Sequence, residues 1–225
     1  VDKWSKTKMA LKNGIDLVIE LPVLYSISSA ENFADGAIKI LNSLGIVDYL
    51  SFGAETSDIS ILNNIANILC SEHEEYKNLL SIELEKGLSF PKARENALLD
   101  YIKNTDDNVP ENRIIDFEKY SKVLSSPNNI LGIEYLKALK KYKSSIKPVC
   151  ISRFATDYNS TKLSKIENST SNCNPQNFAS ATAIRELIKN KNFDTIKTVI
   201  PLESYLILMN CINSGCIVPD LNCFE

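Results

Sequence analysis

The feature that most constrains this chain is an alternation of two apolar patterns. Short apolar runs closed by proline, glycine or arginine trade places with longer stretches in which apolar residues recur at helical spacing. Asp16–Pro22 (DLVIELP) is a run of the first kind, followed by Val47–Gly53 (VDYLSFG) and Lys147–Arg153 (KPVCISR). Runs this short read as strands of a parallel sheet, since a strand covered on both faces shows no polar alternation. Between the first two, Ser28 and Ser29 precede Glu31, and Phe33, Ala37, Ile40, Leu41 and Leu44 recur before Gly45. That pattern is a capped helix with a glycine stop. Strand, helix, strand and helix in succession predict an α/β fold with a parallel sheet and helical crossovers.

Other segments fill in around this frame. Thr7 to Asn13 and Asp58 to about Cys70 have helical composition. From Ser71 to about Tyr120 the chain is charged and helical without a strand-like run, and Asn104–Pro110 is a polar loop within it. Pro127–Gly132 leads into a helix ending near Tyr142. Asp157 to Asn177 is dense in Asn, Ser and Thr with no period, which reads as a loop. Ala179–Arg185 (ASATAIR) opens another helix, and Phe193–Val199 and Glu203–Asn213 are a last helical pair. The expected organisation is a partial α/β domain over 1–190, with a helical excursion at about 71–120, and the start of a C-terminal helical region over 191–225.

Composition narrows the function classes. At 225 residues with 44% hydrophobic and 24% charged residues, the chain is neither disordered nor membrane-like, and its apolar runs are too short to span a bilayer. A net charge of −3 does not advertise a nucleic-acid partner, although one basic face is enough to hold a phosphate backbone. The stretch Asp2–Lys8 is locally basic with Trp4 inside it. Six cysteines without a C-x-x-C pair, and a single His73 far from any of them except Cys70, give no support to zinc. Their scatter suggests buried thiols of a reduced cytoplasmic protein. The opening at Val1, without an initiator methionine or a targeting pattern, reads as the inside of a longer protein.

Parallel sheets bind ligands outside the carboxyl ends of their strands. The residues to inspect are therefore Glu20 with Pro22, Gly53 with Glu55, and Arg153. Gly53 is either a point of close ligand approach or a turn glycine. Glu20 and Glu55 are either a carboxylate pair or helix caps. Ser180 and Thr182 at a helix start, with Arg185 one turn on, offer N–H groups and a guanidinium to an anion, or else form an ordinary serine-capped helix. Pro127-Asn128-Asn129 reads first as a capping turn, and second as amides able to meet a ribose or base edge. His73 reads as a solvated surface histidine.

Eight segments taken together resemble the bacterial tRNA(Met) cytidine acetate ligase family. They are Val1–Leu11, Gly14–Pro22, Ser29–Ala37, Leu41–Gly45, Ser51–Glu55, Phe90–Arg94, Pro127–Leu136 and Ala179–Arg185, in the family's order. The resemblance implies a nucleotidyltransferase-like (HUP/Rossmann-like) parallel sheet with a helical insertion and C-terminal helices. It implies ATP-dependent activation of acetate as acetyl-adenylate, then acetyl transfer to the wobble cytidine of elongator methionine tRNA. ATP contacts carry over to Gly53, Asn128 and Arg153, with Ser180, Thr182 and Arg185 as second-rank candidates. Mg2+ is a candidate companion of ATP. Lys3, Lys6, Lys8, Lys162 and Lys165 are the expected tRNA contacts, and no membrane or DNA partner is expected.

Two departures stand beside the resemblance. The family's first strand and its H-x-G-H signature should precede Val1, so no catalytic residue is assigned within this chain, and little acetyl-adenylate is expected from it alone. A Tyr-His-Asp in the family's loop is replaced here by Asp157–Ser160 (DYNS). Competing readings are a non-catalytic RNA-binding or interaction protein of the same fold, and a nucleotidyltransferase that adenylylates a cofactor precursor.

Overall fold

The computed structural model describes residues 1–56, 58–71, 73–104, 114–152 and 179–215, with the backbone alone at 114–117. Its helices are α1 (Lys3–Lys12), α2 (Val23–Ser26), α3 (Ala30–Leu44), α4 (Ile59–Ser71), α5 (Glu74–Glu85) and α6 (Phe90–Asn104). After them come α7 (Ile114–Leu124), α8 (Pro127–Lys141), α9 (Ala181–Lys189), α10 (Phe193–Val199) and α11 (Leu202–Asn213). The strands are β1 (Tyr49–Ala54) and β2 (Lys147–Ser152). The chain separates into two compact units, Leu21–Phe154 and Val1–Glu20 with Ala155–Glu225.

In the first unit β1 and β2 pair in parallel, Tyr49 opposite Lys147 and Ala54 opposite Ser152. Side chains alternate across the sheet, so Leu50, Phe52 and Ala54 face inward while Tyr49, Ser51 and Gly53 face outward. The inward face packs on α8, which also lies against α3, α4 and α7. Leu62, Ile65, Leu98, Ile133 and Leu136 are among the fully buried side chains there. Each contributes roughly 1.5–3 kcal/mol by leaving water. Gly132 lets α8 approach the strand, because a Cβ at that position would meet the Phe52 ring at 2.7 Å. The α3 helix begins and ends as its sequence predicts: the Ser29 hydroxyl accepts from the Asn32 N–H, and Gly45 closes it at φ 68°.

The helical excursion is present as α5, α6 and the described part of α7. Tyr76 of α5 meets Tyr101 of α6 edge to face at 6.2 Å. Arg94 of α6 donates to Glu134 Oε1 of α8 at 2.6 Å. Glu134 is only 2% exposed. Lys137 Nζ stands 2.8 Å from Glu134 Oε2 but off the line of a hydrogen bond, so that contact is electrostatic rather than directional.

The second unit holds α1 packed on α11, with α10 on α9 and α11. Asp2 caps α1 through the Ser5 N–H, so the helix starts four residues earlier than Thr7. Asn13 Nδ2 donates to the Ser204 hydroxyl at 2.9 Å, and Cys211 is buried against the Ser5 hydroxyl.

Two expectations need correction. Asp16–Pro22 is not a strand: it carries no regular structure, and Leu17, Val18 and Ile19 are exposed. A strand is defined by the neighbour that takes its hydrogen bonds, and among the described residues no strand pairs with this segment. The thiols are not uniformly buried either, since Cys70 is exposed and Cys150 half-buried. Cys173, Cys216 and Cys223, like the expected loops at 105–110 and 157–177, lie outside the described residues.

Arg94→Ala is expected to lower the unfolding free energy by about 3 kcal/mol, because it leaves a buried carboxylate with Lys137 as its remaining cation. Combining Arg94→Met with Glu134→Leu removes both charges at similar volume and should recover most of that loss in urea unfolding.

Candidate functional site

A cavity of about 490 Å³ near Lys137 is walled by α3 and α8 residues already engaged in ion pairs, including Glu31 and Asp35. A second cavity is chemically different. It holds about 380 Å³ and is bounded by Ala37 and Leu41 of α3, Leu50–Gly53 of β1, and Asn128, Leu131 and Tyr135 of α8. Apolar walls with one phenol, one amide and the Ser51 hydroxyl make it a recess for a partly apolar group with a few hydrogen-bonding positions. Burial pushes the Tyr135 phenol up, so it remains neutral at physiological pH. The Phe52 ring lies 5.8 Å from that of Tyr135.

Gly53 and Asn128, singled out independently in the sequence, therefore line one cavity. Gly53 is not a turn residue: it sits within β1 opposite Ile151. Nor is the Pro127–Asn129 segment a cap. Pro127 opens α8, Asn128 and Asn129 lie in its first turn, and the N-cap residue Ser126 makes no side-chain cap bond. The cap comes from another element. Glu55 Oε1 accepts from Asn128 Nδ2 at 2.6 Å and from the Asn128 N–H at 3.3 Å. Its Oε2 accepts from the Asn129 N–H at 2.9 Å. Asn129, 2% exposed, returns the link by accepting the Thr56 N–H on Oδ1 at 3.0 Å. Asparagine spacing could not reveal a cap donated from 73 residues away.

Burial of the Glu55 carboxyl opposes its charge, but the hydrogen bonds from Asn128 and Asn129 outweigh it and hold the group below its ordinary value. Glu20 plays no such role. Its carboxylate takes Lys3 Nζ at 2.8 and 3.0 Å on an exposed surface.

Ser180 is the N-cap of α9, its hydroxyl accepting from the Ala183 N–H at 3.0 Å. That is the serine-capped helix of the plainer reading. Thr182 is half-buried in its first turn and Arg185 is exposed one turn on. These three belong to the unit containing α1, whereas Gly53 and Asn128 belong to Leu21–Phe154. Lys6 and Lys8 are exposed on α1, while Lys3 is partnered by Glu20 and lies 5.3 Å from the Trp4 ring. His73 is exposed as expected and stacks on Tyr101 at 6.0 Å. Arg153, Lys162 and Lys165 lie outside the described residues.

Asp58 is held down to about 2 by the Ser60 side chain first and by Lys119 next. Both Asp58 and Glu55 are lower in the native chain than when unfolded, so the unfolded state binds more protons in acid. Stability should hold at neutral pH and fall as pH drops through the range below 4.5 toward 2. Glu55→Gln should flatten part of that slope in urea unfolding measured across this range.

The family described as HIGH Nucleotidyl Transferase matches residues 1–224. A tRNA(Met) cytidine acetate ligase from Clostridium perfringens is 47% identical over 209 residues, covering 93% of this chain and 48% of that protein. One of the same name from Caldanaerobacter subterraneus is 47% identical over 215 residues, 96% of this chain and 48% of its own length. Among solved structures, Thermotoga maritima TmcAL without ligand superposes with a TM-score of 0.82 at 35% identity, over 96% of this chain and 46% of that one. The same protein bound with alpha-thio ATP gives 0.78 at 35% identity, over 96% and 45%. The chain spans about half the length of the curated relatives it matches. A parallel strand pair packed on α8, a helical excursion and a profile match over nearly every residue agree: the chain belongs to the HIGH nucleotidyl transferase family.

Proposed function

We propose that this chain is the nucleotide-binding part of a ligase that activates acetate with ATP and transfers the acetyl group to the wobble cytidine of methionine tRNA. The observation that carries the reading is the shared cavity of Gly53 and Asn128. A relative's structure bound with an ATP analogue supports the nucleotide, and the relatives named tRNA(Met) cytidine acetate ligase support the substrates.

The cavity's chemistry suits the nucleoside end of ATP. Its apolar walls and the Tyr135 ring can enclose a base, and the Asn128 amide can meet a ribose or base edge. Among the described residues no lysine or arginine lines it, and the Glu55 carboxylate sits on the first N–H groups of α8. Arg153 is the proposed partner of the triphosphate within the same unit, and Ser180, Thr182 and Arg185, in the other unit, remain second-rank candidates on the family resemblance alone. In the reaction an acetate oxygen attacks the α-phosphorus of ATP and pyrophosphate departs. The exocyclic amine of the cytidine then attacks the acetyl carbon, AMP departs with the bonding pair, and the amine loses a proton. Stabilising charge on the reacting phosphates is the main demand of the first step. Mg2+ enters this reading as the companion of the ATP phosphates.

For tRNA, Lys6 and Lys8 on α1 remain the described candidates, with Lys3 available once it leaves Glu20. Lys162 and Lys165 complete the proposed set.

In a ligase of the relatives' full length, release of pyrophosphate from ATP is expected to depend on acetate and radiolabelled acetate should enter methionine tRNA, whereas this chain alone should bind ATP and release little pyrophosphate. Asn128→Ala should weaken ATP by about tenfold, the worth of one hydrogen bond to a ligand. Acetate-independent turnover that responds to a mononucleotide would favour a nucleotidyltransferase acting on a cofactor precursor. Absence of ATP binding would leave the non-catalytic reading.

A further inference from the structure

The chain has a single tryptophan, Trp4, and α1 carries it in the open. Tryptophan is highly buried in most folds, because covering its ring removes much apolar area from water. Here it is 69% exposed, with Lys3 Nζ 5.3 Å from the ring centre. Successive helix residues turn by about 100°, so Trp4, Lys8 and Leu11 fall on one side of α1, and Lys12 follows one turn beyond Lys8. All four are exposed. Ser5 and Asn13, which bond to Cys211 and Ser204 of α11, mark the side that packs. Nothing in Lys3–Lys12 (KWSKTKMALK) is acidic, and Asp2 just before it is engaged by the Ser5 N–H and hydroxyl. Among the described residues Lys3 alone of the α1 lysines is held in an ion pair. In a chain of net charge −3, this helix is a local concentration of positive charge around one indole.

A row of cations alone would suit any polyanion, and the indole narrows the choice. Unpaired bases are held by rings set beside cations: the base stacks, and the cations take the phosphates on either side. A paired base has both faces covered by its neighbours in the duplex. A lipid surface is the other polyanion, but an interfacial helix needs a broad apolar face, and Trp4 and Leu11 are the exposed large apolar residues of α1. We infer that the Trp4 side of α1 is a binding surface for unpaired RNA, with the indole as a stacking platform for one base and Lys8 and Lys12 on the neighbouring phosphates. The choice of RNA rests on the reading of the chain as part of a tRNA-modifying ligase, and the indole narrows that partner to a loop rather than a helical stem. The Gly53–Asn128 cavity plays no part in it.

Because Trp4 is the only tryptophan, indole emission from the whole chain reports on this residue alone. The probes are a stem-loop RNA carrying the anticodon loop of methionine tRNA, a fully paired RNA duplex of the same nucleotide count, and vesicles of anionic phospholipid. The stem-loop is expected to quench the emission, and the duplex to leave it nearly unchanged. Trp4→Ala should weaken the stem-loop by about tenfold, the worth of one stacked base, and the duplex by less than about twofold. Trp4→Phe keeps a smaller ring and should recover part of that loss. Lys8→Gln and Lys12→Gln should weaken both RNAs, each lowering the salt slope by roughly 0.7 to 0.9. A stem-loop that fails to bind, or that binds without changing the emission, overturns the inference. So does a Trp4→Ala loss equal for both RNAs, or an emission change with vesicles and none with RNA. Calorimetry with ATP tests the cavity separately. A chain that takes ATP while Trp4 stays silent to the stem-loop keeps the nucleotide reading and loses the RNA surface, and the reverse result keeps the RNA surface alone. With Trp4 so exposed, Trp4→Ala should melt as wild type does. If it melts early, acrylamide quenching of wild-type Trp4 decides: protection by the stem-loop but not by the duplex supports stacking, and equal access in both refutes it.

Discussion

Where β1 ends, the strand and α8 satisfy one another's unpaired groups. The Thr56 N–H has left the sheet and finds Asn129 Oδ1, and the first N–H groups of α8 have no carbonyl behind them and find Glu55. Neither element closes its own end. Because both links join the same two segments, they set the height and the rotation of α8 relative to the strand. A shift of one residue along the helix would turn its side chains by about 100° and break both links together.

Much of the Leu21–Phe154 unit inherits its arrangement from that placement. One turn beyond the link, Gly132 gives the Phe52 ring its space, and Ile133 and Leu136 enter the core. Farther along, Lys137 reaches Glu31 at 2.9 Å and Lys141 reaches Asp35 at 2.6 Å, both on α3. These partly exposed pairs add little energy singly, but they orient α3 against α8. The cavity is what remains between α3, β1 and α8 once small or absent side chains at Ala37 and Gly53 leave room.

Much of this was readable in the residues, and the failures share a cause. Val47–Gly53 and Lys147–Arg153 announced strands within two residues of the observed ones, and Ser29 and Gly45 marked the ends of α3. Phe193–Val199 was read to the residue. Asp16–Pro22 has the same apolar signature but pairs with no strand among the described residues, and pairing is a property of two segments. Asn128 and Asn129 looked like caps because asparagine often is one. The carboxylate that caps α8 comes from across the chain, and no local pattern contains it. Nothing local marks Glu134 as buried, since its burial depends on α6 folding over it. Local chemistry was legible, whereas partnerships between distant segments were not.

The ion pair between Arg94 and Glu134 has a mechanical consequence for the excursion. It ties α6 to the middle of α8, while α5 rests on α6 through Tyr76 and Tyr101. Bending between α6 and α8 would pull the Arg94 guanidinium off the Glu134 carboxylate, so the pair resists that motion. A load placed on α5 is then passed through α6 to the helix that walls the cavity. The excursion is thus fastened to that helix by charge as well as by packing.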